Sequence, residues 1–507
     1  MDILKRYLQS NEVASHSSVH ETIERLCERF HNSFRLEDRR DALRALKSLS
    51  KDYRVEVGSQ AIFICTETLS KYSDDAEICC YSIDILCNIM NDKSYHIDAK
   101  KNERPTSEDI GKQFTEMFLK DSNNVKILLN LVDYYDLTLR RNAISLVISI
   151  LENCPRDSQE AIFQCPNGIS KLVETMASPL EPIRNEGIRI IIELVRDNKN
   201  IQRIVAFQNT FNYIFACIEQ EGQSDGNIIV EDSLTLLNQL LYLNVQNQNY
   251  FRENGFFQKV LTFMNLPGQD SSSSVGWIRQ KVVNVQAMFR VIRSLVSPLL
   301  SSCRVNQDNM VKINLLKRLC DLILTHGLPP EVLTDVIITC AEMVRSHPTA
   351  QKLLANHSVD GKNPILFVII KTLSNPNQDF SIRMAAHYCF SCIVFGNREI
   401  KAELLSTFTP KDESKSNIGQ LLCLGLFSPD STTVWLSSIA ISHLIYDSND
   451  FKLKLASTHI KSSSDPSNKI TLLQHCFNSL TQNILPNATL NLFQSINLPA
   501  RVGILQL

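Results

Sequence analysis

The chain has 507 residues, with 52 Lys and Arg against 54 Asp and Glu, and 44% of its residues are hydrophobic. A net charge of −2 supplies no general attraction to nucleic acid or anionic lipid, and no apolar run is long enough to predict a transmembrane helix. The 15 cysteines lie mostly in apolar helical patterns, which indicates free buried thiols in a reducing compartment.

The first strong helical pattern carries a basic stripe. Acidic residues open segment 37–51, where the helix dipole favours them, and an apolar face follows. Arg40, Arg44, Lys47 and Lys51 recur at helical spacing on another face. This stripe is a candidate binding surface for an acidic partner, and a solvated helix face is the alternative interpretation.

Polar segments interrupt the helical patterns at several places. Residues 91–107 form a long polar insert, and residues 267–276, with four consecutive serines, predict a loop. A second loop is expected at 297–309.

Similar helix starts recur along the chain. Arg140 and Arg184 occupy equivalent places in two apolar helices and lie 44 residues apart, and later versions begin at Ile382 and Val434. A period of roughly 40–47 residues is typical of armadillo and HEAT units, which bury their apolar faces against neighbouring units. The sequence therefore predicts an all-α, armadillo/HEAT-like right-handed α-solenoid over residues 1–507.

The stretch 200–255 predicts a helix, a turn with two glycines, and a second helix. One apolar face is expected to run continuously through Phe207, Phe211 and Phe215. Four acidic residues surround the turn and are candidates for binding a basic partner: Glu221, Asp225, Glu231 and Asp232. Ordinary capping of the second helix is the alternative interpretation.

Motifs for catalysis or cofactor binding are not found. The chain has no phosphate-binding glycine loop, no H-E-x-x-H and no G-x-S-x-G. His387, Cys389 and Cys392 have ligand types that suit zinc, but the two cysteines also fit an apolar helix, which is the favoured interpretation. We therefore predict no catalytic, cofactor or metal site, and no enzymatic activity.

Two longer stretches carry a family resemblance. They are Asp38–Gly58, and the region from Ile204 to Asn249 that includes Glu221-Gly222-x-Ser224-Asp225-Gly226. Both resemble the signature regions of the head domain of the general vesicular transport factor family, the golgin-type tethers of ER-to-Golgi and intra-Golgi transport. Weaker similarity covers most of the chain.

The resemblance implies a globular head of armadillo-like tether repeats that acts in vesicle tethering and membrane fusion through protein binding. It implies peripheral association with the cytosolic face of Golgi membranes and homodimer formation. The implied partners are a Rab-family small GTPase, SNAREs, golgins and subunits of tethering complexes. Family members continue into a coiled coil and an acidic tail, whereas this sequence contains neither sustained heptads nor an acidic tail.

Two other binding functions are compatible with a helical solenoid. One is a generic armadillo-type scaffold or adaptor without a Golgi role. The other is a nuclear-transport adaptor, which holds basic peptides with repeated Trp-x-x-x-Asn. Here Trp277 is followed four positions later by Lys281, and Trp435 by Ile439, so the nuclear-transport function is disfavoured.

Overall fold

The computed structural model describes residues 14–91, 110–266, 277–325, 327–359, 363–408, 418–446, 448–461 and 469–481. The polar insert expected at 91–107, except Asn91, and the loop expected at 267–276 lie outside these ranges. The described chain is built almost entirely of α-helices, which confirms the predicted fold class. One small addition is an antiparallel pair of three-residue strands, β1 (His459–Lys461) and β2 (Lys469–Thr471), in which Ile460 is opposite Ile470.

The chain divides into two compact units, and the first contains residues 1–220 and 235–240. A π-helical turn, Ala206–Thr210, joins the last two helices of this unit. Its helices are α1 (Ala14–Asn32), α2 (Leu36–Asp52), α3 (Arg54–Lys71), α4 (Ala76–Met90), α5 (Ile110–Leu119), α6 (Ser122–Leu131), α7 (Leu137–Asn153), α8 (Pro155–Gln164), α9 (Gly168–Thr175), α10 (Glu181–Leu194), α11 (Lys199–Val205) and α12 (Phe211–Gln220).

The second unit contains residues 221–234 and 241–507, so helix α13 (Ile228–Leu241) has residues in both units. A short 3-10 turn, Gln223–Asp225, precedes α13. The remaining helices are α14 (Val245–Glu253), α15 (Phe256–Phe263), α16 (Arg279–Leu295), α17 (Cys303–Lys312), α18 (Leu315–Leu324), α19 (Pro330–Val344), α20 (Pro348–Asn356), α21 (Ile365–Leu373), α22 (Phe380–Val394), α23 (Arg398–Ser406), α24 (Ile418–Leu426), α25 (Ser431–Ile445), α26 (Asn449–Ala456) and α27 (Leu472–Thr481).

Within each unit, long helices pack in series and shorter helices connect them. In the first unit α2, α4, α7 and α10 follow one another, and in the second unit α16, α19, α22 and α25 do so. Their apolar faces form the core, where Ile83, Val147 and Ile190 of the first unit are fully buried. Burial of this kind against the next repeat is what stabilises an armadillo-type array.

Four short helices of the array begin in the same way. A residue with positive φ ends the preceding turn, a side-chain N-cap follows it, and the residue four positions after the cap is buried. The cap side chain accepts a hydrogen bond from a backbone N–H of the first helical turn, which fixes the start of each of these helices. The cap and the buried residue are Asn198 with Gln202, Asn244 with Gln248, His347 with Gln351, and Asn397 with Lys401.

The buried amides also connect successive repeats. Gln351 Nε2 donates to the carbonyl oxygens of Cys392 at 2.8 Å and Phe395 at 2.9 Å. Asn397, the cap of the next repeat, donates from Nδ2 to Gln351 Oε1 at 3.0 Å. Two carbonyls near the end of α22 thus have hydrogen-bond partners although they are away from water, which stabilises the junction between repeats.

Two local predictions are wrong. The apolar face expected to run through Phe207 and Phe211 is interrupted at Asn209, whose φ of +64° breaks the helix, and the Phe207 side chain is exposed. The loop predicted at 297–309 contains the start of α17, Cys303–Lys312. Its polar residues Asn306 and Gln307 are buried and bonded to backbone carbonyls, which is why the segment resembled a loop.

Candidate protein-binding surfaces

The basic stripe of α2 lies against carboxylates at the start of α4. Arg40 Nη2 is 2.6 Å from Asp75 Oδ2, and its Nε is 3.5 Å from Glu77 Oε2. Arg44 Nη2 is 3.2 Å from the other Glu77 oxygen, and its Nε donates to the Tyr81 hydroxyl at 3.0 Å. These two arginines therefore form ion pairs and hydrogen bonds within the chain.

The two lysines of the basic stripe differ in their contacts with α4. Lys47 Nζ is 2.6 Å from Asp84 Oδ2 and 5.5 Å from the centre of the Tyr81 ring. Lys51 is exposed near the end of α2. Three of the four predicted cations thus stabilise the contact between two repeats, and much of their charge is neutralised within the chain.

Asp75 shows how strongly this contact is organised. Its side chain accepts from the Ile78 backbone N–H as the N-cap of α4 and also accepts from Arg40. Burial alone raises the pKa of a carboxyl, but these hydrogen bonds and the positive charge of Arg40 outweigh it and hold the pKa of Asp75 below its usual value. Asp75 is therefore a structural anion.

The acidic turn is fixed by an ion pair with a buried lysine. Gly222 at φ +93° opens the turn, and Asp225 closes its 3-10 helix. Asp225 Oδ1 lies 2.8 Å from Lys281 Nζ on α16, and the lysine side chain is only 8% exposed. The same ammonium is 5.3 Å from the centre of the Trp277 ring. Trp277 therefore covers an internal lysine instead of forming part of a Trp-Asn ladder.

Amide hydrogen bonds hold the backbone of the same turn. Asn284 Nδ2 donates to the carbonyl oxygens of Ser224 at 3.2 Å and Gly226 at 2.9 Å. Gln280 Nε2 donates to Glu231 Oε2 at 2.9 Å. The turn is therefore a surface element whose backbone is supported by α16.

Glu221 and Asp232 complete the predicted acidic set. Glu221 Oε2 accepts from the Asn227 amide at 3.1 Å, and Asp232 is half-buried in the first turns of α13. The structure thus brings the four acidic residues together around one turn in the second unit. The basic stripe belongs to the first unit.

A third surface, not singled out from the sequence, occurs where α2 and α7 begin. Phe34 and Tyr135 precede these helices, and Leu36 and Leu137 are their first residues. Their exposed fractions are 102% for Phe34, 47% for Leu36, 83% for Tyr135 and 43% for Leu137. We call these four residues the apolar edge. Its sequence signal is an apolar residue at the polar end of a helix, outside the apolar face.

The histidine and cysteines weighed as zinc ligands lie on α22. Cys389 and Cys392 are buried in the apolar packing of this helix. Burial, assisted by nearby His443, lowers the pKa of His387 to about 4. In the described ranges no group of three or more His, Cys, Asp or Glu residues is placed to hold a metal ion.

Comparisons with known proteins agree with this fold. Residues 332–490 match the family model "Uso1 / p115 like vesicle tethering protein, head region", and residues 274–332 match an armadillo tether repeat of vesicular transport factor. The Homo sapiens general vesicular transport factor p115 is 36% identical over 95% of this chain and 50% of its own length. The chain is therefore similar to the head region of Uso1/p115-like vesicle tethering proteins.

More distant relatives of the Uso1/p115-like family share the same region. The Schizosaccharomyces pombe intracellular protein transport protein uso1 is 26% identical over 90% of this chain and 43% of its own length. A crystal structure of Uso1 superposes with a TM-score of 0.82 at 20% identity, covering 98% of this chain and 79% of that one, which supports the fold. The chain spans about half the length of the curated relatives it matches.

The resemblance noted from the sequence is thereby confirmed for a Uso1/p115-like head region with armadillo tether repeats. None of the described helices combines the length and the apolar character needed to cross a membrane.

Proposed function

We propose that this chain is the protein-binding head of a vesicle tether that acts in ER-to-Golgi and intra-Golgi transport and the associated membrane fusion. The observation that carries the proposal is the 36% identity with a general vesicular transport factor across 95% of the chain. Repeated helices that display stable polar surfaces, with no metal cluster among the described residues, support binding over catalysis.

The proposed partners are a Rab-family small GTPase, SNAREs, golgins and subunits of tethering complexes. Binding to them would hold the head peripherally at the cytosolic face of Golgi membranes, and the proposed assembly is a homodimer. The head is proposed to have no enzymatic activity. These proposals follow the proteins whose head region the chain matches.

The acidic turn is the better placed of the two surfaces predicted from the sequence. Glu221, Asp225 and Glu231 lie on a turn that is already ordered, so a basic partner would bind with little ordering cost. In the basic stripe, Lys51 is exposed, whereas Lys47 is engaged with α4. We propose that the stripe contributes to binding mainly through its exposed end.

A competition experiment tests the proposed function. Excess purified head, added to permeabilised cells that reconstitute ER-to-Golgi cargo transport, should occupy the partners of the endogenous tether and slow cargo delivery. Capture of purified Rab-family GTPases on immobilised head should be stronger for the GTP-loaded than for the GDP-loaded form. A designed armadillo-repeat protein is the control for a helical array without these surfaces.

The alternative function is a generic armadillo scaffold without a Golgi role. In that case the head would leave cargo delivery unchanged and would not distinguish the two nucleotide states. That pair of results would contradict the proposed function even though the fold is established.

A further inference from the structure

The two ends of the apolar edge lie on one border of the first unit because the long helices of that unit run parallel. Arg40 and Asp75 join the starts of α2 and α4, and Lys47 and Asp84 join their middles. The Tyr134 hydroxyl donates to the Asp74 carbonyl at 3.4 Å, just before α7 and α4 begin. The first turns of α2, α4 and α7 therefore lie side by side along one border of the unit.

An open cavity lies on this border. Its volume is about 530 Å³, and Leu36 forms one wall while Asp74, Ala76 and Glu77 form the opposite one. Phe34 precedes the first wall by two residues, and Tyr134 contacts Asp74 at the other. The cavity thus lies between the α2 end of the apolar edge and the start of α4, and Tyr134 joins the start of α4 to the α7 end of the edge.

Exposing apolar side chains to water is costly for a region that has no partner. Burying apolar side chains of this size away from water is favourable, and exposed apolar surface commonly marks an interaction site. Phe34 and Tyr135 do not support the core of the unit, because their side chains are 102% and 83% exposed. Their side chains are therefore available for binding.

The charge around the edge selects the kind of partner. Three exposed carboxylates, Glu37, Asp74 and Asp133, form no ion pair within the described parts of the chain. The cations of the cavity wall are occupied, since Arg40 pairs with Asp75 and Glu77 and Lys71 pairs with Glu67. Arg35 is an exposed cation on the same border.

An excess of unpaired carboxylates beside apolar side chains is complementary to a basic and apolar ligand. We propose that the apolar edge and its carboxylates Glu37, Asp74 and Asp133 bind an extended segment of a partner protein in which Lys or Arg residues flank aromatic or aliphatic side chains. Three adjacent helix starts span two interhelical spacings of about 8–10 Å each. About six extended residues, at about 3.3 Å each, cover that length.

The inference deepens the proposed function and rests on it only for the partner being a protein. Its test contains no membrane and no GTPase, so a negative result here would leave the competition experiment unaffected. Conversely, peptide binding would persist if the head had no role in Golgi transport.

Fluorescence anisotropy with three synthetic peptides of eight residues or so tests the proposal. The first alternates lysine with phenylalanine and leucine, the second replaces its lysines with glutamate, and the third replaces its apolar residues with serine. The first peptide should bind the full chain and weaken with added salt, since exposed charges are screened. The other two should bind at least about tenfold more weakly, because each lacks one of the two complementary features.

Variants locate the binding surface. Asp74→Lys combined with Asp133→Lys, and separately Phe34→Ala combined with Tyr135→Ala, should each weaken the first peptide about tenfold or more. Glu174→Lys and Phe163→Ala change an exposed acid and an exposed aromatic elsewhere in the same unit and should leave binding unchanged. Circular dichroism of each variant shows that it is folded.

Three results would overturn the proposal. They are the absence of binding by all peptides, equal binding of the acidic peptide, and unchanged affinity in both edge variants. Light scattering tests whether a second copy of this chain binds the apolar edge instead. A wild-type dimer that dissociates when Phe34→Ala and Tyr135→Ala are combined would assign the edge to that second copy and exclude a basic peptide partner.

Discussion

Lys281 and Asp225 form an ion pair in which the lysine is almost completely buried and the aspartate is 40% exposed, with 2.8 Å between Nζ and Oδ1. The acidic turn therefore contains a residue that a charge-reversal experiment cannot treat as a free surface anion. Reversing Asp225 would leave the Lys281 ammonium facing a second positive charge in a site with little access to water.

We expect Asp225→Lys to lower the free energy of unfolding by about 2 kcal/mol or more. Breaking a buried pair typically costs about 3–5 kcal/mol, and the partial exposure of Asp225 places it near or below the lower end. Urea denaturation followed by circular dichroism measures the change. Glu221→Lys is the matched control and should change stability by less than about 0.5 kcal/mol. Equal stability of both variants would show that Lys281 does not depend on Asp225.

The contact between Lys47 and Asp84 predicts a measurable coupling energy. Their side chains are 34% and 23% exposed, so we expect a modest coupling of about 0.5–1 kcal/mol. A double-mutant cycle with Lys47→Met, Asp84→Asn and the double variant measures it in urea melts. Lys51→Met is the control, since Lys51 is exposed. Coupling indistinguishable from zero would mean that Asp84 does not hold Lys47, which would then be free to bind an acidic partner.

Sequence periodicity predicted the repeated helices because apolar burial leaves a regular pattern. Arg140 and Arg184 do begin equivalent regions, in the first turns of α7 and α10. The pattern did not show that Arg40 meets Asp75, because pairing between repeats depends on how two helices align. The candidate charges could be found from the sequence, whereas their partners required the structure.

The predicted helix boundaries failed where polar residues are buried or a single residue leaves the helical conformation. Asn306 and Gln307 looked like loop residues because their hydrogen bonds to the repeat junction cannot be recognised from hydropathy. The helix break at Asn209 was not predicted because this residue lies within an apolar run, although Asn is one of the few residues that adopts positive φ readily. The spacing of Asn198 and Gln202, repeated at Asn244, was a signal that hydropathy did not reveal.

The hydrogen bonds of Gln351 predict that removing this one side-chain amide lowers the stability of the repeat junction. Gln351→Leu would leave the carbonyls of Cys392 and Phe395 and the amide of Asn397 without this partner. We expect a loss of about 2–4 kcal/mol, since unsatisfied buried polar groups cost about 1–3 kcal/mol each and partial relaxation occurs. Gln258→Leu on an exposed face of α15 is the control. A thermal melt unchanged by Gln351→Leu would exclude this role.

The buried imidazole of His387 makes the stability of the folded protein depend on acidic pH. Burial, with a contribution from His443, lowers the pKa of His387 from 6.5 to about 4 in the folded protein. A depressed folded pKa means that the unfolded chain binds the proton more tightly, so stability is retained above about pH 6.5 and is lost as the pH falls towards 4. At pH 5 the linked loss amounts to roughly 2 kcal/mol, since each pKa unit corresponds to about 1.4 kcal/mol.

Urea unfolding of the wild type and of His387→Leu at pH 7 and pH 5 measures this linkage. The wild type should lose roughly 2 kcal/mol more than the variant between the two values, because the variant has no proton to bind at this position. Carboxylates and the histidines other than His443 contribute equally to both proteins and cancel in the difference. His20→Leu, at an exposed position on α1, serves as the control for removal of a histidine from the surface. An identical pH dependence in the wild type and His387→Leu would mean that the His387 imidazole has ready access to water in the folded protein, contrary to the packing of α22.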